Sequence, residues 1–149
     1  GNLDAILHPE PPPEILMRTD RVHRLFPDAR SVSEKYFEKN GYFPIMHILS
    51  FRQDVVNREP WLPSKMIDIW DDAKLQANEY YDDPGFLQLA FGRTEFEHQR
   101  ETMGPDLFPS GLSANRQYLE RFIDDMVDQE LIDRPIDVEM LFHESTWET

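Results

Sequence analysis

The densest apolar pattern in the chain is Gly41-Tyr42-Phe43-Pro44-Ile45-Met46-His47-Ile48-Leu49. Alternate positions place Phe43, Ile45, His47, Leu49 and Phe51 on one face and Pro44, Met46, Ile48 and Ser50 on the other. Both faces are mostly apolar, the habit of a strand covered on each side by helices. Pro44 cannot donate to a ladder and therefore belongs near the start of such a strand. His47 is the polar exception within it. A second short strand is expected at Leu3 to Leu7, ending where His8-Pro9-Glu10-Pro11-Pro12-Pro13 forbids both helix and ladder.

Helical periodicity fills most of the remainder. Ser31 followed by Glu34 reads as a capping box, with Val32, Tyr36 and Phe37 as the apolar stripe and Asn40-Gly41 as the stop. Residues Arg52 to Glu59 predict a short helix. Across Ser64 to Tyr81, Met66, Trp70, Ala73, Ala77 and Tyr80 recur at three- and four-residue steps, which predicts a long helix with that stripe in the core. Asp82-Asp83-Pro84-Gly85 reads as a turn, and Thr94 to Met103 as a polar helix carrying an exposed His98. Ser113 is expected to cap a helix with the stripe Leu119, Phe122, Ile123, Met126 and Val127, whose first turn holds Asn115 and Arg116 beside backbone N–H groups attractive to anions. The apolar residues Val138, Leu141, Phe142 and Trp147 predict that the tail docks as a last short helix. Strand, helix, strand in that order predicts an α/β class.

Charge and composition then remove whole classes of function. Acidic residues outnumber basic ones 29 to 15, for a net charge of −14, which disfavours nucleic acid and anionic membrane as partners. There are no cysteines, so a disulfide framework, a thiolate metal site and a cysteine nucleophile are all excluded. No histidine pair has metal-ligand spacing, and there is neither a phosphate-cradling glycine loop nor a serine elbow; no metal or cofactor is expected. No run of about 18 apolar residues is present, so membrane insertion is not expected. A length of 149 residues suffices for one ordinary core. The one basic cluster is Arg18, Arg21, Arg24 and Arg30; it is either a solvated loop paired to neighbouring acids or a carboxylate clamp, for which a guanidinium fork is suited. By residue chemistry alone, His47 is a proton donor or acceptor or else a hydrogen-bonded core histidine.

Five short motifs in register narrow these alternatives. Arg24-Leu25-Phe26-Pro27-Asp28, Phe43-Pro44-Ile45-Met46-His47, Met103-Gly104, Gly111-Leu112 with Asn115-Arg116 and Leu119-Glu120, and Glu139-Met140-Leu141-Phe142 resemble, in order and spacing, the 4,5-dihydroxyphthalate decarboxylase family. The likeness covers nearly the whole chain, and family members are considerably longer. It implies part of a two-lobed type 2 periplasmic-binding-protein-like fold, with helices packed on a mixed sheet. On that reading residues 1–42 end the second lobe and cross over, residues 43–149 return to the first lobe, and the N-terminal portion of the family fold is absent. The implied activity is cofactor-free loss of CO2 from a dihydroxylated aromatic dicarboxylate, with His47 as the acid and Arg24, Arg116 and Asn115 holding the substrate. The rival reading is a solute-binding protein of an ABC-type transport system for a small carboxylate, since fold does not decide function. The enzyme reading goes with the cytoplasm and the rival with the periplasm. Association of copies of the chain stays open. The loop Leu107-Phe108-Pro109-Ser110 departs from the family, where a Trp- or Tyr-containing loop is expected.

Overall fold

The computed structural model describes residues 4–17, 20–83, 85 and 87–149, without the side chain of Leu16. The expected positions Leu3, Arg18 and Pro84 therefore lie outside the described residues. The chain divides into two compact units, 1–35 and 36–149. Its helices are α1 (Pro13–Leu16), α2 (Ala29–Asn40), α3 (Gln53–Arg58), α4 (Leu62–Asp82), α5 (Gly92–Met103) and α6 (Leu112–Asp128), followed by two 3₁₀ turns, Val138–Leu141 and Glu144–Thr146. Among the described residues no helix is long and apolar enough to cross a membrane.

In the first unit, the proline run is extended until Pro13 opens α1, where a missing N–H costs nothing. The expected strand at Leu3 to Leu7 does not form among its described residues, and Ile6 and Leu7 face solvent. The start of α2 lies three residues before the expected one. Asp28, rather than Ser31, accepts from a first-turn amide, Oδ1 to Ser31 N at 3.0 Å.

In the second unit, α2 stops as its sequence requires. Gly41 adopts a positive φ of 77°, and its N–H reaches the Phe37 carbonyl at 2.7 Å. The expectation of an α/β fold with helices on a mixed sheet is overturned: among the described residues there is no strand. Residues 43–52 run without regular structure and without ladder partners. Ile45 packs on the core, its carbonyl accepts from the Tyr118 hydroxyl at 3.3 Å, and Phe43 meets Phe108 edge to face. Met46, Ile48 and Leu49, beyond it, are exposed. Alternation describes which side chains share a face; a strand also needs a neighbour for its backbone groups, and here a tyrosine side chain takes the carbonyl that a ladder would use.

The core gathers on α6. Leu112, Leu119 and Ile123 are buried with Val138 of the first 3₁₀ turn, flanked by Tyr118, Ile132 and Phe142. Of the stripe expected on this helix, Leu119 and Ile123 are buried, whereas Phe122 is half-exposed. The start of α6 is closed by the other end of the chain: Ser113 N donates to the Thr149 carbonyl at 2.6 Å, and Leu112 N to its hydroxyl at 3.4 Å. Gly111 makes this approach possible, because its φ is +90° and any Cβ there would collide with the Thr149 backbone.

The long helix α4 forms where the sequence predicts, but of its expected core stripe only Met66 is half-buried. Pro63, Ile67, Asp71, Lys74 and Asn78, at four- and three-residue steps, are the buried or half-buried spine. Trp70, Ala73, Ala77 and Tyr80, expected in the core, are exposed. The reason is a polar tie. Lys74 Nζ lies 2.8 Å from Asp106 Oδ2, 3.0 Å from the Phe108 carbonyl and 3.1 Å from Asp71 Oδ1, in the loop between α5 and α6 and on α4 itself. Its side chain is 25% exposed, so turning the helix to bury the tryptophan would strand a half-buried ammonium and two carboxylates.

The tie can be tested through pH. The hydrogen bond from Ser110 holds the Asp71 carboxyl below its ordinary range, against the opposing effect of burial and with help from Lys74. Stability from such a depressed carboxyl is present above its unfolded value and lost as pH falls through its folded one. Lys74→Met should lower stability at neutral pH by about 1 to 2 kcal/mol, the scale of one charged hydrogen-bonding group partly screened by solvent. Its stability should also fall less steeply than that of wild type below the carboxylate range. Urea unfolding across pH reads both.

Candidate functional site

The expected site residues fall in three places. Arg24 belongs to the first unit, where it is exposed. His47, in the second unit, is exposed on the irregular segment two residues past Ile45. Asn115 sits on the first turn of α6 and Arg116 just after it, since the helix opens at Leu112 behind Gly111 rather than behind the expected cap Ser113, and both are already engaged. Asn115 Nδ2 donates to the carbonyls of Pro109 and Gly111, at 2.7 and 2.8 Å, which fastens the loop to the helix it precedes. Arg116 donates to Glu139 Oε1 at 2.6 Å and approaches Glu120 at 3.7 Å. The Glu139 hydrogen bond, with the charges of Glu139 and Glu120, raises the Arg116 pKa further against some desolvation. The α6 start, read from the sequence as an anion site, is occupied by the chain's own Thr149 carbonyl. A guanidinium carries five N–H groups, so these carboxylates still leave donors for a third.

Within the second unit, the C-terminal end of α2 and the polar side of α6 flank an open cavity of about 690 Å³. Tyr36 and Tyr42 border it among mostly polar residues; Tyr42 meets Tyr36 and Tyr118 edge to face at centroid separations of 6.1 and 5.3 Å, and Tyr118 stacks in turn on Phe122. The acids Glu120, Asp124 and Asp125 outnumber the cations Lys39 and Arg121 on its lining. Arg121 is held by Asp125 at 2.6 Å. The cavity is open rather than enclosed, and charged and amide side chains make up most of its border. Its excess of carboxylates opposes a dianion there.

Sequence reasoning did not find this cavity. Gln117, Glu120, Arg121 and Asp124 do lie at helical spacing on one side of α6, a signal legible in advance. That Tyr36 and Tyr42 stand against Tyr118 was not, because the two segments are far apart along the chain.

The Tyr36 phenol is pushed up to about 12, first by burial, then by its hydrogen bond with Tyr42 and the nearby Tyr118 and Asp125. Burial, with Tyr42 and Asp125, also raises Tyr118. These hydroxyls therefore stay protonated through neutral pH and can donate to a ligand. A phenol raised on folding contributes a constant stability up to its unfolded value and loses it as pH climbs from there through the folded one.

No family model matches the chain. Over its whole length the chain is 26% identical, across 151 aligned residues, to the 4,5-dihydroxyphthalate decarboxylase of Comamonas testosteroni. The alignment covers 46% of that enzyme, so the chain spans about half the length of the curated relative it matches. At this identity and coverage the chain resembles a decarboxylase.

The raised phenol can be measured directly. In an alkaline titration followed by phenolate absorbance, part of the tyrosine signal should appear only near pH 12. Tyr36→Phe should remove that late component and leave the earlier ones. A variant with the same late component as wild type would assign it to another tyrosine.

Proposed function

We propose that this chain is part of a decarboxylase of a dihydroxylated aromatic carboxylate, with 4,5-dihydroxyphthalate as the substrate to test first. The observation that carries the reading is the alignment of the entire chain with an enzyme of that name. The motif Phe43-Pro44-Ile45-Met46-His47 adds to it by supplying an exposed imidazole on a segment anchored through Ile45.

The chemical problem is where the electrons of the breaking C–C bond go. In 4,5-dihydroxyphthalate a ring hydroxyl lies para to each carboxylate. When the ring carbon bearing the departing carboxylate takes a proton, the para hydroxyl gives up its own and becomes a carbonyl, so the ring becomes a dienone. The C–C bond then breaks, CO2 leaves, the bonding pair restores the aromatic ring, and the oxygen regains its proton. His47 is the proposed acid over that carbon, in its protonated form. Arg116, with N–H groups beyond those given to Glu139 and Glu120, is the proposed carboxylate partner, and the Asn115 amide keeps its turn in place. Arg24 belongs to the first unit, and its part is tested by its own substitution. The excess of acids around the tyrosine-bordered cavity argues against that cavity as the place for a dicarboxylate.

The experiment is CO2 release from 4,5-dihydroxyphthalate by the full-length protein. His47→Gln should leave ligand affinity in place while turnover falls by about 100- to 10,000-fold, the range for removing a general acid. Arg116→Ala and Arg24→Ala should each weaken binding by about tenfold or more, the worth of one charge-assisted contact. Absence of CO2 release from wild type, with the ligand bound, would replace the enzyme by a carboxylate-binding protein. Undiminished turnover in His47→Gln would keep the enzyme and discard its acid.

A further inference from the structure

His47 lies on a stretch of chain that does little to hold itself in place. Residues 43–52 form no regular structure, and Met46, His47, Ile48 and Leu49 are exposed. Among the described residues, one hydrogen bond reaches the main chain of residues 42–51: the Tyr118 hydroxyl donates to the Ile45 carbonyl at 3.3 Å. Toward the C-terminus the next main-chain tie is the Arg52 carbonyl, which accepts from Val55 and Val56 at the start of α3. The imidazole is therefore two residues from one tie and five from the other.

The donor, by contrast, is well fixed. Tyr118 stands half-buried on α6, packs against the core of Leu112, Leu119 and Ile123, and meets the rings of Tyr42 and Phe122 at centroid separations of 5.3 and 6.4 Å. Burial, with Tyr42 and Asp125, raises its phenol, so the hydroxyl keeps its proton through neutral pH and can donate. The acceptor is placed to matter. The Ile45 carbonyl belongs to the peptide plane that continues to Met46, so orienting it aims the chain toward His47, whereas packing of the Ile45 side chain alone leaves that plane free to turn.

We propose that Tyr118 is the positioning residue for the acid: by holding the Ile45 carbonyl it fixes the main chain from which the His47 imidazole is presented to the ring carbon. The proposal rests on the decarboxylase reading, in which His47 supplies that proton. A general acid works only within hydrogen-bond reach of the atom it protonates, and a misplacement of about 1 Å costs about 100-fold in rate. An exposed side chain on an irregular segment meets that demand only where its backbone is held from outside.

The test is Tyr118→Phe in the full-length protein, which removes the hydroxyl and keeps the ring. With 4,5-dihydroxyphthalate, kcat should fall by about ten- to 100-fold while KM stays within about twofold. The amide order parameters of Met46 and His47, from NMR relaxation, should fall, and those of α6 should not. A loss of turnover that only tracks a loss of folded protein, or a rise in KM with kcat unchanged, would overturn the proposal, as would order parameters equal to those of wild type. The two readings fail separately. Wild type that binds 4,5-dihydroxyphthalate without releasing CO2 would remove the decarboxylase and this role with it, whereas turnover lost in His47→Gln but intact in Tyr118→Phe would keep the decarboxylase and overturn this role alone.

Discussion

The arrangement of the second unit depends on one half-buried ammonium. Lys74 reaches Asp106, the Phe108 carbonyl and Asp71 together, and Asp71 is further held by Ser110, so that α4 is joined to the loop leading into α6 by charge-assisted bonds. The apolar core of Leu112, Leu119, Ile123 and Val138 lies on α6 and the tail, and α4 contributes none of these residues. A helix held by its polar spine keeps its apolar stripe outside. That orientation places Trp70 and Tyr80 in water and the carboxylates within reach of the ammonium.

The same loop and the C-terminal tail organise the start of α6. Asn115 bonds back to Pro109 and Gly111, Arg116 bonds forward to Glu139, and Thr149 covers the first amides of the helix. Residues that the family resemblance casts as substrate contacts thus also carry the local structure. For Arg116 the two roles are compatible, since a guanidinium serves more than one carboxylate. For the Asn115 amide, both of whose donors are spent on the loop, a positioning role is the one the geometry supports. Removing either side chain has a structural consequence as well as a functional one, and ligand affinity has to be read beside stability.

Helix positions were largely legible in the chain because their signals are local. The Asn40-Gly41 stop, the short helix after Arg52, the long helix before the Asp82 turn, the polar helix ending at Met103 and the helix through Leu119 and Ile123 all rest on periodicity and end residues within one segment. Asn115 was likewise placed on a first turn, although the helix opens at Leu112 behind Gly111 and the expected cap Ser113 lies inside it. The physical basis is that a helix closes its hydrogen bonds within itself, so its own residues suffice to specify it.

The rest required partners that no single segment contains. Residues 43–51 have the alternation of a doubly covered strand, but a ladder takes its hydrogen bonds from another stretch of backbone, and Tyr118 supplied a side chain in its place. The stripe of α4 has the period of a core face, yet period states only that apolar residues share a side; which side turns inward was decided by Asp106 and Ser110, more than thirty residues away. The tyrosine-bordered cavity likewise exists only because α2 and α6 meet. By itself the sequence determined where α2 to α6 lie to within a few residues, the acidic charge, the absence of thiol chemistry and the resemblance to a decarboxylase. Which faces are buried, whether an extended run becomes a sheet, and which candidate side chains are already bonded were decided by tertiary structure alone, because each depends on contacts between segments distant in the chain.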